Sequence, residues 1–142
     1  LVGYSMGGNI VRGAVQGSAA GEGGFSAPID VQDGVSVAAP LDGAAWFSHL
    51  CLWGQCATLK PGAADINWLD EDGNPQGTRG TEWTVVGSHG DAVVPVASAL
   101  QMDVPDERRI AYDDVPHTGS DNYWGRTEVV THVGTALAKW KV

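Results

Sequence analysis

The strongest constraint on this chain is the passage from strand to helix at its start. Leu1 to Tyr4 reads as the end of a strand, Ser5 to Gly8 as a turn of small residues. Met6, Ile10 and Ala14, with neighbouring Val11 and Val15, then recur at helical spacing, with Arg12 and Gln16 on the opposite edge. A chain that turns from strand to helix within one or two residues holds the turning residue in a strained conformation and needs small neighbours to avoid a clash. When that residue is a serine, its hydroxyl protrudes above the sheet, and the helix N-terminus aims free N–H groups beside it. Gly3-Tyr4-Ser5-Met6-Gly7 fits this G-x-S-x-G pattern; the plainer alternative is a glycine-rich turn whose serine caps the helix.

The rest of the chain alternates between strand and helix patterns. Residues 17 to 30, rich in glycine and small side chains, read as a loop, and Val35 to Ala39 as a short buried strand. From Leu41 to Gly80 the period is lost. Trp46, Phe47, Leu50, Leu52, Trp53 and Trp68 are interspersed there with glycine, proline and the acidic run Asp70, Glu71 and Asp72, which reads as an excursion or cap-like insertion. The acidic run lacks the alternating ligands and distal Glu of a calcium loop and reads as a solvated turn. Glu82 to Gly87 is a strand entering a Gly-Ser-His-Gly-Asp loop, and Arg109 to Tyr112 a strand ending in polar residues. Pro95 to Asp103 supplies a short crossover helix and Thr127 to Lys141 a clearer one, striped by Val129, Val133, Leu137 and Trp140. This order predicts an α/β fold, with a mostly parallel sheet, helices on both faces and the polar strand ends on one rim.

Charge narrows the partners. Lys plus Arg number 8 against 17 Asp plus Glu, a formal net charge of −9, and no basic cluster is present to track a phosphate backbone. Nucleic acid and anionic membranes are therefore poor expectations as partners. No apolar run approaches the roughly 18 residues of a membrane span. Cys51 and Cys56 are close enough for a small disulfide-closed loop, which would favour a secreted setting, with reduced or buried cysteines as the alternative. His49 with these two cysteines makes three metal-ligand types without an evident fourth, so no metal site is expected.

The chemically telling order is Ser5, Asp91, His117, each placed just beyond a strand. A hydroxyl nucleophile, an imidazole that takes its proton and a carboxylate that orients the imidazole form a complete relay for acyl transfer. Ser5 in its elbow, Asp91 in Gly87-Ser88-His89-Gly90-Asp91-Ala92-Val93-Val94-Pro95 and His117 in Val115-Pro116-His117-Thr118-Gly119 resemble the three catalytic loops of the α/β-hydrolase superfamily. Bacterial lipases and esterases with a Gly-x-Ser-x-Gly-Gly elbow are the closest in pattern, and they suggest a bacterial, secreted origin.

The resemblance implies a partial α/β-hydrolase fold, with residues 1–142 the C-terminal portion of one domain lacking the strands before the nucleophile elbow. An N-terminal segment of the same precursor would then complete the sheet and supply one oxyanion-hole donor, the other being the Met6 backbone N–H. The implied activity is serine-dependent hydrolysis of carboxylic esters, with apolar acyl esters or lipids as substrates and no cofactor. Thioester hydrolysis, acyl transfer, or a non-catalytic scaffold are the alternatives. Tyr4, Trp46, Phe47, Leu50, Trp53, His89 and Val93 are the candidates to line the substrate site, although the aromatic and leucine residues would serve equally as core. His132, inside the final helical pattern, is expected to be structural or exposed.

Overall fold

A computed structural model describes residues 1–44 and 54–138. Four parallel strands form one sheet in the order β1 (Val2–Tyr4), β2 (Asp33–Val37), β3 (Glu82–Ser88) and β4 (Arg109–Tyr112). Between and after them lie α1 (Met6–Ala20), the short α2 (Gly54–Ala57), α3 (Ala64–Asp70), the one-turn α4 (Val96–Ala99) and α5 (Thr127–Ala138). This is an α/β architecture, and the stated strands fall within one or two residues of their predicted positions.

Side-chain alternation on the strands separates two apolar layers. Val35, Val37 and Val86 pack with Tyr112, Tyr123, Val129, Val133 and Ala136, so α5 covers that face. Trp83 and Val85, one residue out of phase with Val86, pack instead with Val15, Leu41, Met102 and Val104 on the α1 side. Full burial of an aliphatic or aromatic side chain contributes roughly 1.5–3 kcal/mol, which makes these two layers the main favourable term. Trp83 is 1% exposed, and its indole N–H donates to the Pro75 carbonyl at 2.7 Å.

The structure departs from the sequence reading in three places. Residues 17–20 continue α1 rather than opening a loop, because the Trp68 ring lies against Gly13 and Gly17, and that packing offsets the helix cost of glycine, roughly 1 kcal/mol each. The helix stops at Gly21, whose φ of 71° is left-handed, with the Glu22 N–H closing back on the Gly17 carbonyl at 2.8 Å. The crossover helix within 95–103 shrinks to the single turn of α4. Most consequentially, Arg12 and Gln16 on the polar edge of α1 are 1% and 5% exposed, while Met6 and Ile10 are 38% and 62% exposed. Backbone carbonyls of the excursion draw the polar edge inward: Arg12 donates to Leu69 (2.6 Å) and Asp72 (3.1 Å), and Gln16 to Trp68.

Trp46, Phe47, His49, Leu50, Cys51, Leu52, Trp53 and the stretch 139–142 lie outside the described residues, and with them the Cys51–Cys56 pairing and the Trp140 end of the last helical stripe. Within the described part of the excursion, Asp72 Oδ1 accepts the Asn74 N–H at 3.0 Å, closing the acidic turn on itself. Among the described residues, no helix is long and apolar enough to cross a membrane and no cluster of His, Cys, Asp or Glu is arranged to hold a metal ion.

Candidate active site

Parallel pairing brings the C-terminal ends of all four strands to one rim, in the register Tyr4 to Val37, Val37 to Val86 and Ser88 to Tyr112. The ladder continues one residue past each strand, through Ser5 N–H to Val37, Ala38 N–H to Val86 and His89 N–H to Tyr112, each at 2.8 Å. These bonds anchor the loops that carry Ser5, Asp91 and His117.

Ser5 has φ 54° and ψ −132°, a conformation few non-glycine residues adopt. It occupies the N-cap position of α1 yet makes no side-chain capping bond. A capping serine contributes about 1 kcal/mol. Forgoing it means the hydroxyl is used elsewhere, and the helix-capping alternative does not hold. The turn is as tight as its glycines imply: a Cβ on Gly3 would lie 2.3 Å from the Gly7 carbonyl oxygen, and one on Gly8 2.4 Å from Ala39 Cβ and Ser36 Oγ. Gly7, which the pentapeptide pattern names, has open space around its Cα, so the steric demand falls on Gly3 and Gly8.

Ser5 Oγ stands 3.0 Å from His117 Nε2, and His117 Nδ1 stands 2.8 Å from Asp91 Oδ2. Asp91 Oδ1 accepts the N–H groups of Val93 and Val94, both at 2.8 Å, and Oδ2 also accepts the Tyr123 hydroxyl at 3.0 Å. Burial pushes the Asp91 carboxyl up, but the bonds from His117, Val94 and Val93 outweigh it and hold the group below its ordinary value. An ionised carboxylate only accepts hydrogen bonds, so His117 Nδ1 donates to Asp91, which makes Nε2 the ring atom available to accept from Ser5.

The two later loops are tied together beneath the site. Ser88 Oγ, 1% exposed with its residue, accepts the Gly90 N–H (3.0 Å) and the Val115 N–H (2.9 Å), bridging the Asp91 and His117 loops. Tyr4 donates its hydroxyl to the His117 backbone carbonyl, and its ring stacks on the imidazole at 5.2 Å between centroids. Trp124, 41% exposed, meets the same Tyr4 ring edge-on at 5.8 Å.

The Met6 N–H belongs to the first turn of α1, where helix geometry supplies no internal acceptor. Of the residues expected to line a substrate site, Tyr4 and Val93 hold His117 and Asp91 respectively, and His89 is exposed on the Asp91 loop. Trp46, Phe47, Leu50 and Trp53 are outside the described residues. His132 is on α5 with its Nδ1 against the Tyr112 hydroxyl. Burial and then the Glu128 charge push Tyr112 up to about 12.

A cleft of about 250 Å³ opens beside Met6, between α1 and α3, with Ile10, Leu59, Ile66, Trp68 and Leu69 on its walls. Sequence reading passed over this cleft and over Tyr123, Trp124 and Ser88. An aromatic pair inside the otherwise polar stretch 118–126 was the available signal for Tyr123 and Trp124; nothing local marked Ser88. Comparisons with protein-family models, with curated proteins and with solved structures returned no match.

Proposed function

We propose that this chain is a serine carboxylic-ester hydrolase and that its sheet is the later part of an α/β-hydrolase domain. The observation carrying the reading is the continuous line from Ser5 Oγ through His117 to Asp91, at 3.0 and 2.8 Å. On this reading the Ser5 hydroxyl proton passes to His117 Nε2 as Oγ bonds to the ester carbonyl carbon, and the carbonyl oxygen takes the negative charge. Asp91 stays ionised and stabilises the imidazolium. His117 returns the proton to the departing alcohol as the ester C–O bond breaks, leaving an acyl group on Ser5. A water molecule, deprotonated by His117, then releases the acid and restores the serine.

The Met6 N–H supplies one donor to the oxyanion, and a missing second donor would cost roughly 2.7–4 kcal/mol of transition-state stabilisation. Among the described residues β1 pairs on one side only, with Leu1 and Val2 52% and 40% exposed. An N-terminal segment of the same precursor, adding a parallel strand along that edge, would cover this surface and bring the second donor. The apolar cleft beside Met6 favours an apolar acyl group as the part of the substrate nearest Ser5.

Labelling with a serine-reactive alkyl phosphonate tests the chemistry. The expected result is one adduct per chain, mapped to Ser5 and lost in Ser5→Ala while the far-UV spectrum is kept. Stoichiometric labelling at another serine would overturn the assignment. A parallel panel of esters and thioesters of graded acyl length identifies the leaving group and tests the preference for apolar acyl chains.

A further inference from the structure

The Asp91 side chain is fully enclosed, and each of its oxygens has two donors. Oδ1 takes two backbone N–H groups, whereas Oδ2 is shared between His117 Nδ1 (2.8 Å) and the Tyr123 hydroxyl (3.0 Å). Tyr123 is 0% exposed and lies in the stretch between β4 and α5. A carboxylate cannot donate, so the tyrosine must. We infer that Tyr123 is a positioning residue that divides the Oδ2 charge with His117 and thereby sets how strongly Asp91 holds the imidazole, an inference that rests on the relay proposed above.

The consequence follows from competition at one oxygen. A second donor on Oδ2 withdraws charge from it, which weakens its pull on the Nδ1 proton and lowers the stabilisation of the imidazolium. The phenol itself stays protonated, because burial first and then the neighbouring Asp91 charge push its ionisation upward. The ionisable groups facing Asp91 are His117 from the loop after β4, Tyr123 and Tyr4 from β1. Tyr4, itself pushed upward by burial and then by Asp91, is likewise neutral across the working range. Tyr4 spends its hydroxyl on the His117 carbonyl, so it has none left for Asp91.

Tyr123→Phe removes the donor and keeps the ring beside Tyr4, 6.1 Å away between centroids. The Nδ1 proton resonance of His117 should move downfield, and the acidic limb of kcat/KM should rise by on the order of half a pH unit. Uniform 3-fluorotyrosine in a Tyr4→Phe chain makes a stronger phenol donor and should move the Nδ1 proton upfield, which gives a second arm should Tyr123→Phe not fold. An unmoved Nδ1 resonance in either folded protein overturns the inference. The resonance needs no substrate, so loss of phosphonate labelling at Ser5 would count against the hydrolase reading without touching this result.

Discussion

The rim of the sheet and the contact between α1 and the 54–72 stretch both bury polar side chains, but they satisfy them differently. At the rim every side-chain polar atom of Asp91 and His117 has a partner, drawn from the backbone of the Asp91 loop and from the side chains of Ser5 and Tyr123 as well as from each other. Beneath α3, Arg12 gives hydrogen bonds to backbone carbonyls, yet its Nε and the nearby Gln16 Oε1 and Asn9 Oδ1 have no partner among the described residues. Burial first lowers the Arg12 ionisation, partly offset by Asp70, Asp72 and Asp103, but a guanidinium stays charged. Full satisfaction suits the proton transfer we propose for this site, which needs one held geometry. Partial satisfaction suits a clamp, where one strongly hydrogen-bonded cation closes a helix onto an excursion at some cost in desolvation.

Substitutions should therefore separate into losses of rate at the rim and losses of stability at the clamp. Asp91→Asn should lower kcat by about ten-thousandfold with a small change in melting temperature, because the imidazole would take the wrong tautomer. Steady-state kinetics with a chromogenic ester, beside thermal unfolding, measures both. A rate loss under tenfold would erase the distinction from the rim side. Arg12→Ala should cost about 2–4 kcal/mol in urea unfolding, since it leaves the buried Leu69 carbonyl without this donor and empties the space the buried guanidinium filled. Phosphonate labelling of Ser5 should persist in that variant below its unfolding midpoint; loss of labelling in the folded variant would show that the clamp and the rim are one unit.

Gly8→Ala probes where the two regions meet. The added methyl would meet Ala39 Cβ and Ser36 Oγ at 2.4 Å and should cost about 1–3 kcal/mol, while Gly7→Ala, with open space at a helical position, should be neutral or slightly stabilising. Equal effects from the two alanines would show that the elbow relaxes.

The smallest expected difference is in pH dependence, where the two regions have opposite signs. The folded value of Asp91 is depressed, so its contribution to stability is complete above the unfolded carboxylate value and is lost as pH falls through the folded one. Asp70, beside Arg12 at 3.8 Å, is raised instead, because burial outweighs the attraction of that distant guanidinium and Asp42 adds to the rise. Its contribution is present in acid and is lost as pH rises through the folded value. Unfolding free energies measured from pH 3 to 7 should thus fall less steeply toward acid in Asp91→Asn and more steeply in Asp70→Asn. Parallel curves for the two variants would remove the contrast.

Ser5, Asp91 and His117 were legible because their signals are local. A strand that turns at once into a helix needs glycine where backbones touch, and a polar residue just past a buried strand must sit at its end, so chain order alone puts all three on one rim of a parallel sheet. The four strands were legible for the same reason, as apolar runs bounded by turn residues. Arg12, Gln16, Tyr123 and Ser88 were not, and their partners explain it. Arg12 answers the Leu69 and Asp72 carbonyls, Tyr123 a carboxylate 32 residues earlier, and Ser88 the Val115 N–H. Hydropathy periodicity assigns a polar side chain to solvent unless a distant acceptor comes within about 3 Å of it, and only the folded chain supplies that acceptor. The elbow and the order of the strand ends are thus properties of the sequence, since short-range sterics and pairing impose them. Which edge of α1 is buried, and which hydroxyl steadies Asp91, were decided by tertiary contact.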